Sequence, residues 1–305
     1  MKALIIGYGS IGRRHARILH QLNYEVIVVS SRGGIKGTSY PISVSTEQIL
    51  ERTIPDYVVI ANETDRHYQT LRQIRRLGFT GPVLVEKPLF GDADNAQAFD
   101  LSNTFAGYNL RFHPVLLRLK KLVQEKSVIS AHLYVGQYLP AWRSGDYRRS
   151  YSASQNRGGG VLRDLSHELD FVQWLFGPWQ QVAALGGHFS TLQIDSDDVF
   201  ALLLSTQRCP VVSVQLNYVD RLQQRQVIVN TDTETYAADL IQNTLTSTHG
   251  TTQFQLDLDI TYKLEHMAAI LQDDTVLCSA EDALQTDELI ASAAKAAQEG
   301  RWVHR

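Results

Sequence analysis

A lysine at the end of an apolar run is the first residue whose type and position suggest chemistry. Lys87 lies between Glu86 and Pro88, directly after the run from Pro82 to Val85, which is typical of a short buried strand. A lysine at the mouth of a parallel sheet is dehydrated on one side, so its ammonium can exchange a proton with a substrate. The alternative is a surface lysine whose stem packs on apolar neighbours.

A glycine motif near the start of the chain predicts a dinucleotide site. A strand-like run from Ala3 to Ile6 leads into Gly-Tyr-Gly-Ser-Ile-Gly, and the apolar residues that follow have helical spacing. The first glycine allows a tight turn, the second lets a pyrophosphate approach the backbone, and the third lets helix and strand pack closely. The N-terminus of the helix then faces the phosphates. We predict cofactor contacts from Gly7, Gly9, Ser10, Ile11 and Gly12.

The end of the second predicted strand indicates which nicotinamide cofactor is preferred. The strand Glu25 to Val29 is followed by Ser30, Ser31 and Arg32, where an NAD-specific site carries Asp or Glu for the ribose 2′-hydroxyl. Small hydroxyls and a guanidinium suit a 2′-phosphate instead. We therefore predict NADP as the preferred cofactor, with NAD as the second choice. The alternative is a solvated arginine in a turn.

Strands and helices continue to alternate through the first part of the chain. We predict strands over Tyr57 to Ala61 and Val83 to Val85, and helices over Arg66 to Leu77 and Ala93 to Ser102. This alternation is typical of a parallel, doubly wound Rossmann sheet, an α/β fold in which ligands lie at the carboxyl ends of the strands. Lys87 is at such an end, and so is the segment from Asn62 to His67.

The pattern changes to strand-like runs after a helix predicted over Phe112 to Gln124. The runs alternate apolar and polar residues, and cover Ile129 to Leu139, Gln181 to Phe189, Val199 to Leu204, Val211 to Tyr218, Gln226 to Asn230 and Gln253 to Leu258. Such alternation predicts a large, mostly antiparallel open sheet with one covered face, against which a helix from Leu165 to Phe176 can pack. We predict a Rossmann domain over residues 1–120 and an α+β domain over 121–305, whose C-terminal helix could pack back on the first domain. The free face of the sheet predicts a homodimer or homotetramer.

Five motifs in order resemble the Gfo/Idh/MocA superfamily, the glucose-fructose oxidoreductase and inositol dehydrogenase group. They are the glycine motif, Glu86-Lys87-Pro88, the stretch Gly107 to Pro114, the glycine triplet with Asp164 and His167, and a closing helix from Ala280 to Val303. The resemblance covers nearly the whole chain. It implies an NAD(P)-dependent oxidoreductase that transfers hydride to or from a hydroxyl or carbonyl carbon of a sugar.

The resemblance also implies roles for single residues. Lys87 is expected at the nicotinamide and the substrate, and Glu86 beside the cofactor. Asn109 and Arg111 are expected near the sugar. The family usually has Ala-Thr-Pro-Asn-x-x-His where this chain has Ala61 to His67, and only the first and last positions agree. Cofactor contacts are therefore expected from His67 and, on weaker grounds, from Asn62.

Asp164 and His167 form the second candidate catalytic group. Capping of a helix by Ser166 or Asp164 would place Asp164 and His167 on the same side of its first turn, where a carboxylate can orient the imidazole for proton transfer. The family spacing is Asp-x-x-x-His, one residue longer than here. The alternative is a capping aspartate with a packed histidine. Phe171 stands where a zinc-protease helix needs its second histidine, so we predict no metal.

A basic, aromatic segment between the halves suggests an anionic substrate. It contains Trp142, Arg143, Tyr147, Arg148, Arg149, Tyr151 and Arg157. Guanidiniums beside aromatic faces suit a sugar that carries a carboxylate, phosphate or nucleotide, and we predict substrate contacts from Arg143 and Tyr147. The resemblance points to surface-polysaccharide, sialic-acid-like or nucleotide sugars. Solvated loop arginines are the alternative.

The composition of the chain argues against several classes of partner. The chain has 305 residues, a net charge of -3 and two cysteines, which gives no reason to expect nucleic acid, a membrane or a disulfide framework. We expect a cytoplasmic enzyme with a small-molecule partner. Two other functions stay open: an NAD-dependent glycosidase of the same fold, and a non-catalytic sensor of NAD(P) or sugar.

Overall fold

The computed structural model describes residues 1–30, 38–90, 100–142, 145–273 and 275–305. The chain forms two compact units, and each is discontinuous in sequence. Unit 1 contains Met1–Phe112 and Asp257–Leu284, and unit 2 contains His113–Leu256 and Gln285–Arg305. The chain thus passes from one unit to the other at three places, whereas we predicted a single boundary near residue 120.

Unit 1 is built on a seven-stranded sheet with the order β15-β6-β5-β4-β1-β2-β3. All neighbours pair in parallel except β15, which is antiparallel to β6. The strands are β1 Lys2–Ile6, β2 Glu25–Val29, β3 Ile42–Ser43, β4 Tyr57–Ile60, β5 Val83–Glu86, β6 Thr104–Gly107 and β15 Cys278–Ser279. The predicted Rossmann-type parallel sheet is confirmed.

The helices of unit 1 connect and cover these strands. They are α1 Ser10–Gln21, α2 Thr46–Arg52, α3 His67–Arg76 and α7 Leu258–Leu271. The central strands are buried on both faces, and every residue of β4 has zero exposure. An unbroken aliphatic run suits such a strand because both of its faces meet apolar neighbours. The helix predicted over Ala93 to Ser102 falls mostly on residues 91–99, outside the described residues.

Helix α7 was not predicted from the sequence. The strand expected over Gln253 to Leu258 is wrong beyond Gln253, because Asp257 caps a helix that begins at Leu258. The apolar pattern of α7 is inverted, which hid the helix. Its buried positions include Thr261, Glu265 and His266, whereas Ile260, Leu264, Met267 and Leu271 are exposed.

Unit 2 is built on a nine-stranded sheet with the order β14-β13-β12-β11-β7-β10-β9-β8-β16. Pairing is antiparallel except between β10 and β7, which confirms the predicted mostly antiparallel sheet. The strands are β7 Val128–Gly136, β8 Trp179–Gly187, β9 Val199–Thr206, β10 Val211–Asn217, β11 Gln224–Thr231, β12 Thr235–Asp239, β13 Thr244–Ser247, β14 Gly250–Gln253 and β16 Val303–His304. Strands β12 and β13 were not predicted.

Helices α4 Pro114–Val123, α5 Val161–Asp164 and α6 His167–Phe176 belong to unit 2. Buried Glu168 of α6 forms a two-pronged ion pair with Arg225 of β11, at 2.6 and 2.9 Å, which fixes α6 on the sheet. The closing helix α8, Ala280–Glu299, is shorter than predicted, because Val303 belongs to the edge strand β16. Among the described residues, no helix is long and apolar enough to cross a membrane.

Candidate active site

The glycine motif forms the turn between β1 and α1 that the sequence predicts. Gly7 has a φ of +99°, and a Cβ there would lie 2.4 Å from the carbonyl carbon and oxygen of Ala61. A Cβ on Gly12 would lie 2.1 Å from the carbonyl oxygen of Gly7. Both glycines are therefore required by the backbone itself, since any side chain would push α1 or β4 away from the turn.

The start of α1 has the properties of a phosphate site. Gly9 is the N-cap residue, no side chain caps the helix, and its first turn contains no acidic residue. A Cβ on Gly9 would meet nothing within 4 Å. The first amide groups of α1, including those of exposed Ser10 and half-buried Ile11, thus lie at an open, electropositive helix end. These residues fit the pyrophosphate of a dinucleotide.

The predicted ribose contacts lie at the end of β2. Ser30 is buried and its amide donates to the carbonyl of Ser43 at 2.9 Å. Ser31 and Arg32 lie outside the described residues. The preference for NADP therefore stays a prediction.

Lys87 follows the last residue of β5, at the carboxyl end of a central strand, and is partly exposed. Its neighbour Glu86 accepts a hydrogen bond from Nε2 of His15 at 2.8 Å, and the amide of Lys87 lies 3.3 Å from the other carboxylate oxygen. His15 lies on α1, the helix that begins at the glycine motif. Glu86 turns one of its oxygens towards α1, and its predicted place beside the cofactor stays a prediction.

Charge and burial both act on Glu86. Burial acts to raise the pKa of its carboxyl group, but the hydrogen bond from His15 and the surrounding positive charges, Lys87 among them, outweigh it. The pKa of Glu86 is therefore lowered, and its carboxylate is a fixed negative charge beside Lys87.

His67 holds the other side of the Lys87 segment. Its buried ring lies with Nδ1 3.1 Å from the carbonyl oxygen of Pro88 and Nε2 3.2 Å from that of Asn62. Burial lowers the pKa of His67, and the two carbonyl contacts oppose that shift only in part. The Asn62 side chain donates to Thr70 at 2.8 Å. These contacts tie the loop after β4 to the segment after β5, which gives both residues a supporting role at the predicted site.

Asn109 and Arg111 are buried in a 3₁₀ helix, Asn109–Phe112. The Asn109 side chain donates to Thr261 of α7 at 2.7 Å. The Arg111 guanidinium pairs with Asp282 at 2.9 Å and lies 3.3 Å from the carbonyl oxygen of Leu277. These contacts hold both side chains within unit 1, and the contact with the sugar that the resemblance implied stays a prediction.

In unit 2, Asp164 ends α5 and His167 begins α6, with Leu165 and Ser166 between them. Asp164 is buried, and its carboxylate accepts a hydrogen bond of 2.7 Å from the hydroxyl of Tyr218. Burial raises the pKa of Tyr218 well above its ordinary value, and the charge of Asp164 adds to the effect. Tyr218 is a site residue that the sequence analysis missed. It follows β10, and its spacing from Asp164 gives no signal in the sequence.

The capping prediction for this segment is wrong. The Ser166 side chain makes no capping bond, and Asp164 lies at the end of a helix. At the start of the preceding helix α5, the carboxylate of Asp197 accepts from the amide of Leu162 at 3.0 Å. The glycine triplet allows this approach, because a Cβ on Gly160 would lie 2.2 Å from that carboxylate.

Trp142, the first residue of the basic, aromatic segment, lines a cavity in unit 2. The cavity has a volume of about 470 Å³, and its lining residues include Tyr138, Trp142, Asp220 and Arg221. The Trp142 ring packs edge-on against Tyr218, with 5.2 Å between ring centroids, which connects the cavity wall to Asp164. Tyr147 begins a 3₁₀ helix, and its hydroxyl accepts from the amide of Gln193 at 3.1 Å. Arg143 lies outside the described residues.

No group of three or more metal-binding side chains occurs in the described parts of the chain. Glu168, next to His167, is committed to Arg225.

Comparison with known families decides the classification. A model described as an oxidoreductase family with an NAD-binding Rossmann fold matches residues 1–114, and a model of the GFO/IDH/MocA C-terminal domain matches residues 116–236. The chain belongs to the GFO/IDH/MocA family. It is an NAD-binding oxidoreductase of that family, as the motifs predicted. An uncharacterised oxidoreductase of Synechocystis is 27% identical over 146 residues, which are 45% of this chain and 39% of that relative.

Solved structures share the fold over the whole chain. A levoglucosan dehydrogenase in complex with NADH and levoglucosan has a TM-score of 0.85 at 15% identity and covers 100% of this chain and 99% of its own. The WlbA dehydrogenase from Bordetella pertussis, in complex with NADH and UDP-GlcNAcA, has a TM-score of 0.82 at 15% identity, with coverages of 100% and 98%. A myo-inositol dehydrogenase from Corynebacterium glutamicum has a TM-score of 0.77 at 19% identity, with coverages of 100% and 98%. At these identities the likeness establishes the fold.

Proposed function

We propose that this GFO/IDH/MocA protein transfers hydride between a nicotinamide cofactor and a hydroxyl or carbonyl carbon of a sugar. The observation that carries the proposal is the connection between the glycine motif and Lys87. Helix α1 begins at the predicted phosphate site, and its residue His15 bonds the carboxylate next to Lys87 at 2.8 Å. The cofactor-binding element and the candidate proton-transfer residue are thus held in one hydrogen-bonded structure.

The cofactor would be held at the open end of α1. Gly7 and Gly12 shape the turn, while the amides of Gly9, Ser10 and Ile11 would face the pyrophosphate. We propose NADP as the preferred cofactor because Ser30, Ser31 and Arg32 follow β2 where an NAD site would carry an acidic residue. The bound nicotinamide accepts or donates the hydride.

Lys87 would manage the accompanying proton. In oxidation of an alcohol, its neutral amine takes the hydroxyl proton while the hydride leaves the same carbon, so that a carbonyl and an ammonium result. In the reverse direction the ammonium returns that proton to the carbonyl oxygen. The negative charge of Glu86 lies beside this ammonium and orients it.

Asp164 and His167 are proposed as a second catalytic group. The imidazole can share or relay the proton, and the carboxylate, already oriented by Tyr218, can orient a sugar hydroxyl. The spacing between Asp164 and His167 is one residue shorter than the family's Asp-x-x-x-His, so this assignment needs a test of its own. Substitution of His167 by Asn should reduce turnover without changing the affinity for the cofactor.

The proposed substrate is an anionic sugar. Trp142 of this segment lines the cavity in unit 2 together with Tyr138 and Arg221, and aromatic rings and guanidiniums bind carboxylates, phosphates and sugar faces. Arg143 and Tyr147 are the proposed contacts. Among the structural neighbours, WlbA carries a nucleotide sugar and levoglucosan dehydrogenase carries levoglucosan, an uncharged sugar derivative. Both classes therefore belong in the substrate screen.

We also propose that the outer face of the nine-stranded sheet pairs with a second copy of the chain. Exposed Leu185 and Leu203 lie on that face, on neighbouring strands β8 and β9. Apolar residues on an open sheet face lose their contact with water when two such faces pack together.

The test begins with cofactor binding by the purified chain. Binding of NADP⁺ and NAD⁺ is measured by calorimetry, and reduction of the cofactor is then followed with myo-inositol, levoglucosan, UDP-N-acetylglucosamine and N-acetylneuraminate. Lys87→Ala should lower kcat by about a hundredfold or more while the cofactor Kd stays within about twofold of wild type. Lys121→Ala, on the exposed side of α4, is the matched control and should leave both values unchanged.

The outcomes separate the alternatives. Unchanged turnover in Lys87→Ala would sink the assignment of this residue. Cofactor binding without turnover on any of these sugars would favour the sensor, which needs no proton transfer. Release of a leaving group from a glycoside with retained NAD and no net reduction would favour the glycosidase.

A further inference from the structure

Three buried groups extend from Glu86 into the core of unit 1. Nε2 of His15 lies 2.8 Å from Glu86, Nδ1 of His15 lies 3.0 Å from Nε2 of His266, and Nδ1 of His266 lies 3.0 Å from the Tyr57 hydroxyl. His15, His266 and Tyr57 all have zero exposure. The four residues come from α1, α7, β4 and β5, so they form one chain of contacts across four elements.

The chain is satisfied in one direction when both rings are neutral. The Tyr57 hydroxyl donates to Nδ1 of His266, and Nε2–H of His266 donates to Nδ1 of His15. Nε2–H of His15 then donates to the Glu86 carboxylate. Each ring thus has its proton on Nε2, and every bond donates towards the carboxylate. Bonds aligned in this way polarise one another and strengthen the last one.

The two far members of the chain keep the protonation that this direction needs. Burial raises the pKa of Tyr57 well above its ordinary value, and the negative charge of Glu265 adds to the effect, so the hydroxyl keeps its proton. Burial lowers the pKa of His266 well below its ordinary value, so the ring stays neutral. In the proposed direction Nδ1 of His15 accepts from His266 and its Nε2–H donates to Glu86, which requires one proton on this ring.

The chain ends in the core, which decides between two roles. A path for protons must reach water or a titrating group that exchanges with water, whereas His266 and Tyr57 have no exposed surface. A fixed chain of dipoles needs no exit. The Glu86 side chain, 12% exposed, is the only one of the four described groups that reaches towards solvent.

We propose that His15 and His266 are positioning residues for the reaction, whose hydrogen-bonded chain from Tyr57 fixes the Glu86 carboxylate and through it the ammonium of Lys87. This inference rests on the proposed role of Lys87. It explains why α7, which belongs to a distant part of the sequence, places a neutral histidine in the core of unit 1. Neither histidine touches the reacting atoms in this proposal.

The protonation states are tested in the purified chain without any ligand. Nitrogen chemical shifts of the histidine rings distinguish the two tautomers and the cation. Because the chain has ten histidines, His15→Gln and His266→Gln are needed to assign the signals. Both rings should have their proton on Nε2 near neutral pH. A cationic His15 ring, or protons on Nδ1, would overturn the proposed direction.

The link to Glu86 is tested by titrating its carboxyl carbon, assigned with Glu86→Gln. His15→Leu removes the donor, so Glu86 should titrate at a higher pH than in wild type, since burial then acts unopposed by that bond. His15→Gln, whose amide can still donate, should restore part of the shift. Four other titratable groups face this chain and could also move the titration of Glu86: Lys87, His67, Tyr262 and Glu265. None of them is substituted in these variants. An unchanged Glu86 titration in His15→Leu would overturn the inference.

Turnover is measured on the cofactor and sugar that wild type uses in the screen. His15→Leu should lower kcat by roughly ten- to a hundredfold with KM within about twofold, because the reacting groups are misplaced and binding is kept. The acid limb of its kcat profile should move to higher pH with the Glu86 titration. Tyr57→Phe keeps the shape of the core and should show a smaller change in the same direction. Unchanged kcat in His15→Leu, with Lys87→Ala inactive, would contradict the positioning role and leave the proposed function standing.

The two failures can be told apart. If wild type binds no nicotinamide cofactor, the proposed function fails, and the Glu86 titration still decides whether His15 controls that carboxylate. If His15→Leu does not fold, Tyr57→Phe provides the same readouts with less loss of packing, as a smaller change in the same direction.

Discussion

Gly7 and Gly9 are two residues apart in one motif, but the reasons for a glycine differ between the two positions. Gly7 has a positive φ and no room for a Cβ, which would lie 2.4 Å from the backbone of Ala61. Gly9 has a φ of -75°, an ordinary value for any residue, and open space where a Cβ would be. Gly7 is thus required by the fold, while the freedom at Gly9 is explained only by something that approaches it from outside.

Alanine at each position should separate the requirement of the fold from the requirement of the cofactor. Gly7→Ala should lower the free energy of unfolding by about 3 kcal/mol or more, because it adds backbone strain to a steric clash. Gly9→Ala should change that free energy by less than about 1 kcal/mol but weaken NADP⁺ binding about tenfold or more, since its methyl group meets the pyrophosphate. Urea unfolding and calorimetry measure the two effects. Equal affinities of Gly9→Ala and wild type would contradict a pyrophosphate at this turn.

At the same scale, the sequence identified the residues that belong to short motifs. The glycines and the Glu-Lys-Pro segment were found because their spacing is local. His15, His266, Tyr57 and Tyr218 were missed, since each acquires its partner from a distant element and a lone buried histidine or tyrosine reads as core. His15 gave a weak signal, as a polar residue on the apolar face of α1. The roles predicted for Asn109 and Arg111 depended on a motif, which cannot tell a substrate contact from support.

Helix α4 begins at a histidine that works as its N-cap. The amide of Val115 donates to Nδ1 of His113 at 3.3 Å, which requires an unprotonated nitrogen. Burial lowers the pKa of His113 to about 4, the interaction with Asn243 opposes this shift, and the charge of Arg225 adds to it. In the unfolded chain the pKa returns to its ordinary value near 6.5.

Stability should therefore fall with acidity over this window. Between pH 6.5 and about 4 the unfolded chain takes up a proton that the folded chain does not, so unfolding becomes easier as the pH falls. The loss attributable to His113 should approach about 3 kcal/mol at the acid end. His113→Asn keeps an acceptor for the cap and cannot titrate, so its unfolding free energy should depend less on pH. Urea unfolding at several pH values measures this.

Exposed His249 provides the matched control for this titration. His249→Asn removes an exposed ring that caps no helix, so the pH dependence assigned to His113 should remain. A His113→Asn variant with the same slope as wild type would contradict the assignment of the titration to the cap of α4.

Element prediction succeeded where burial followed the regular period. Strand β2 was predicted with its observed bounds, and β4, β5 and α3 to within one residue at each end. Helix α7 failed because its buried face carries Thr261, Glu265 and His266, so the apolar period points to the wrong face. Strands β12 and β13 are short and rich in threonine and alanine, which leaves little alternation to detect.

The composition of the whole chain predicted two domains, and the discontinuity of both was beyond its reach. Segment Asp257–Leu284 returns to unit 1 after more than a hundred residues of unit 2. Sequence patterns report local periods and carry no information about which core a late helix joins. The buried polar residues of α7 are the physical reason for its return, because Thr261 and His266 find their partners Asn109, Tyr57 and His15 in unit 1.

The proposed assembly is a property of the outer face of the sheet in unit 2. Register places Leu203 opposite Ala183 on one side and Ser213 on the other, and Leu185 opposite Ala201. Leu185 is 77% and Leu203 44% exposed, while the alternate residues Leu202 and Leu204 are buried on the inner face. Strands lie about 4.8 Å apart, so nine of them form a face roughly 40 Å wide, ample for a standard interface of about 800 Å² per partner.

A carboxylate on this face should prevent the pairing. Leu203→Asp should shift the chain to a smaller assembly in analytical ultracentrifugation, because an unpaired charge buried in an interface costs several kcal/mol. Leu222→Asp changes a residue that is 79% exposed outside the strands and should leave the assembly as in wild type. A monomeric wild-type chain, or a Leu203→Asp variant of unchanged mass, would contradict the proposed interface. A Leu203→Asp variant that forms a smaller assembly but keeps the wild-type unfolding curve would show that the substitution acts on assembly. This is expected because the Leu203 side chain lies on the outer face and not in the core.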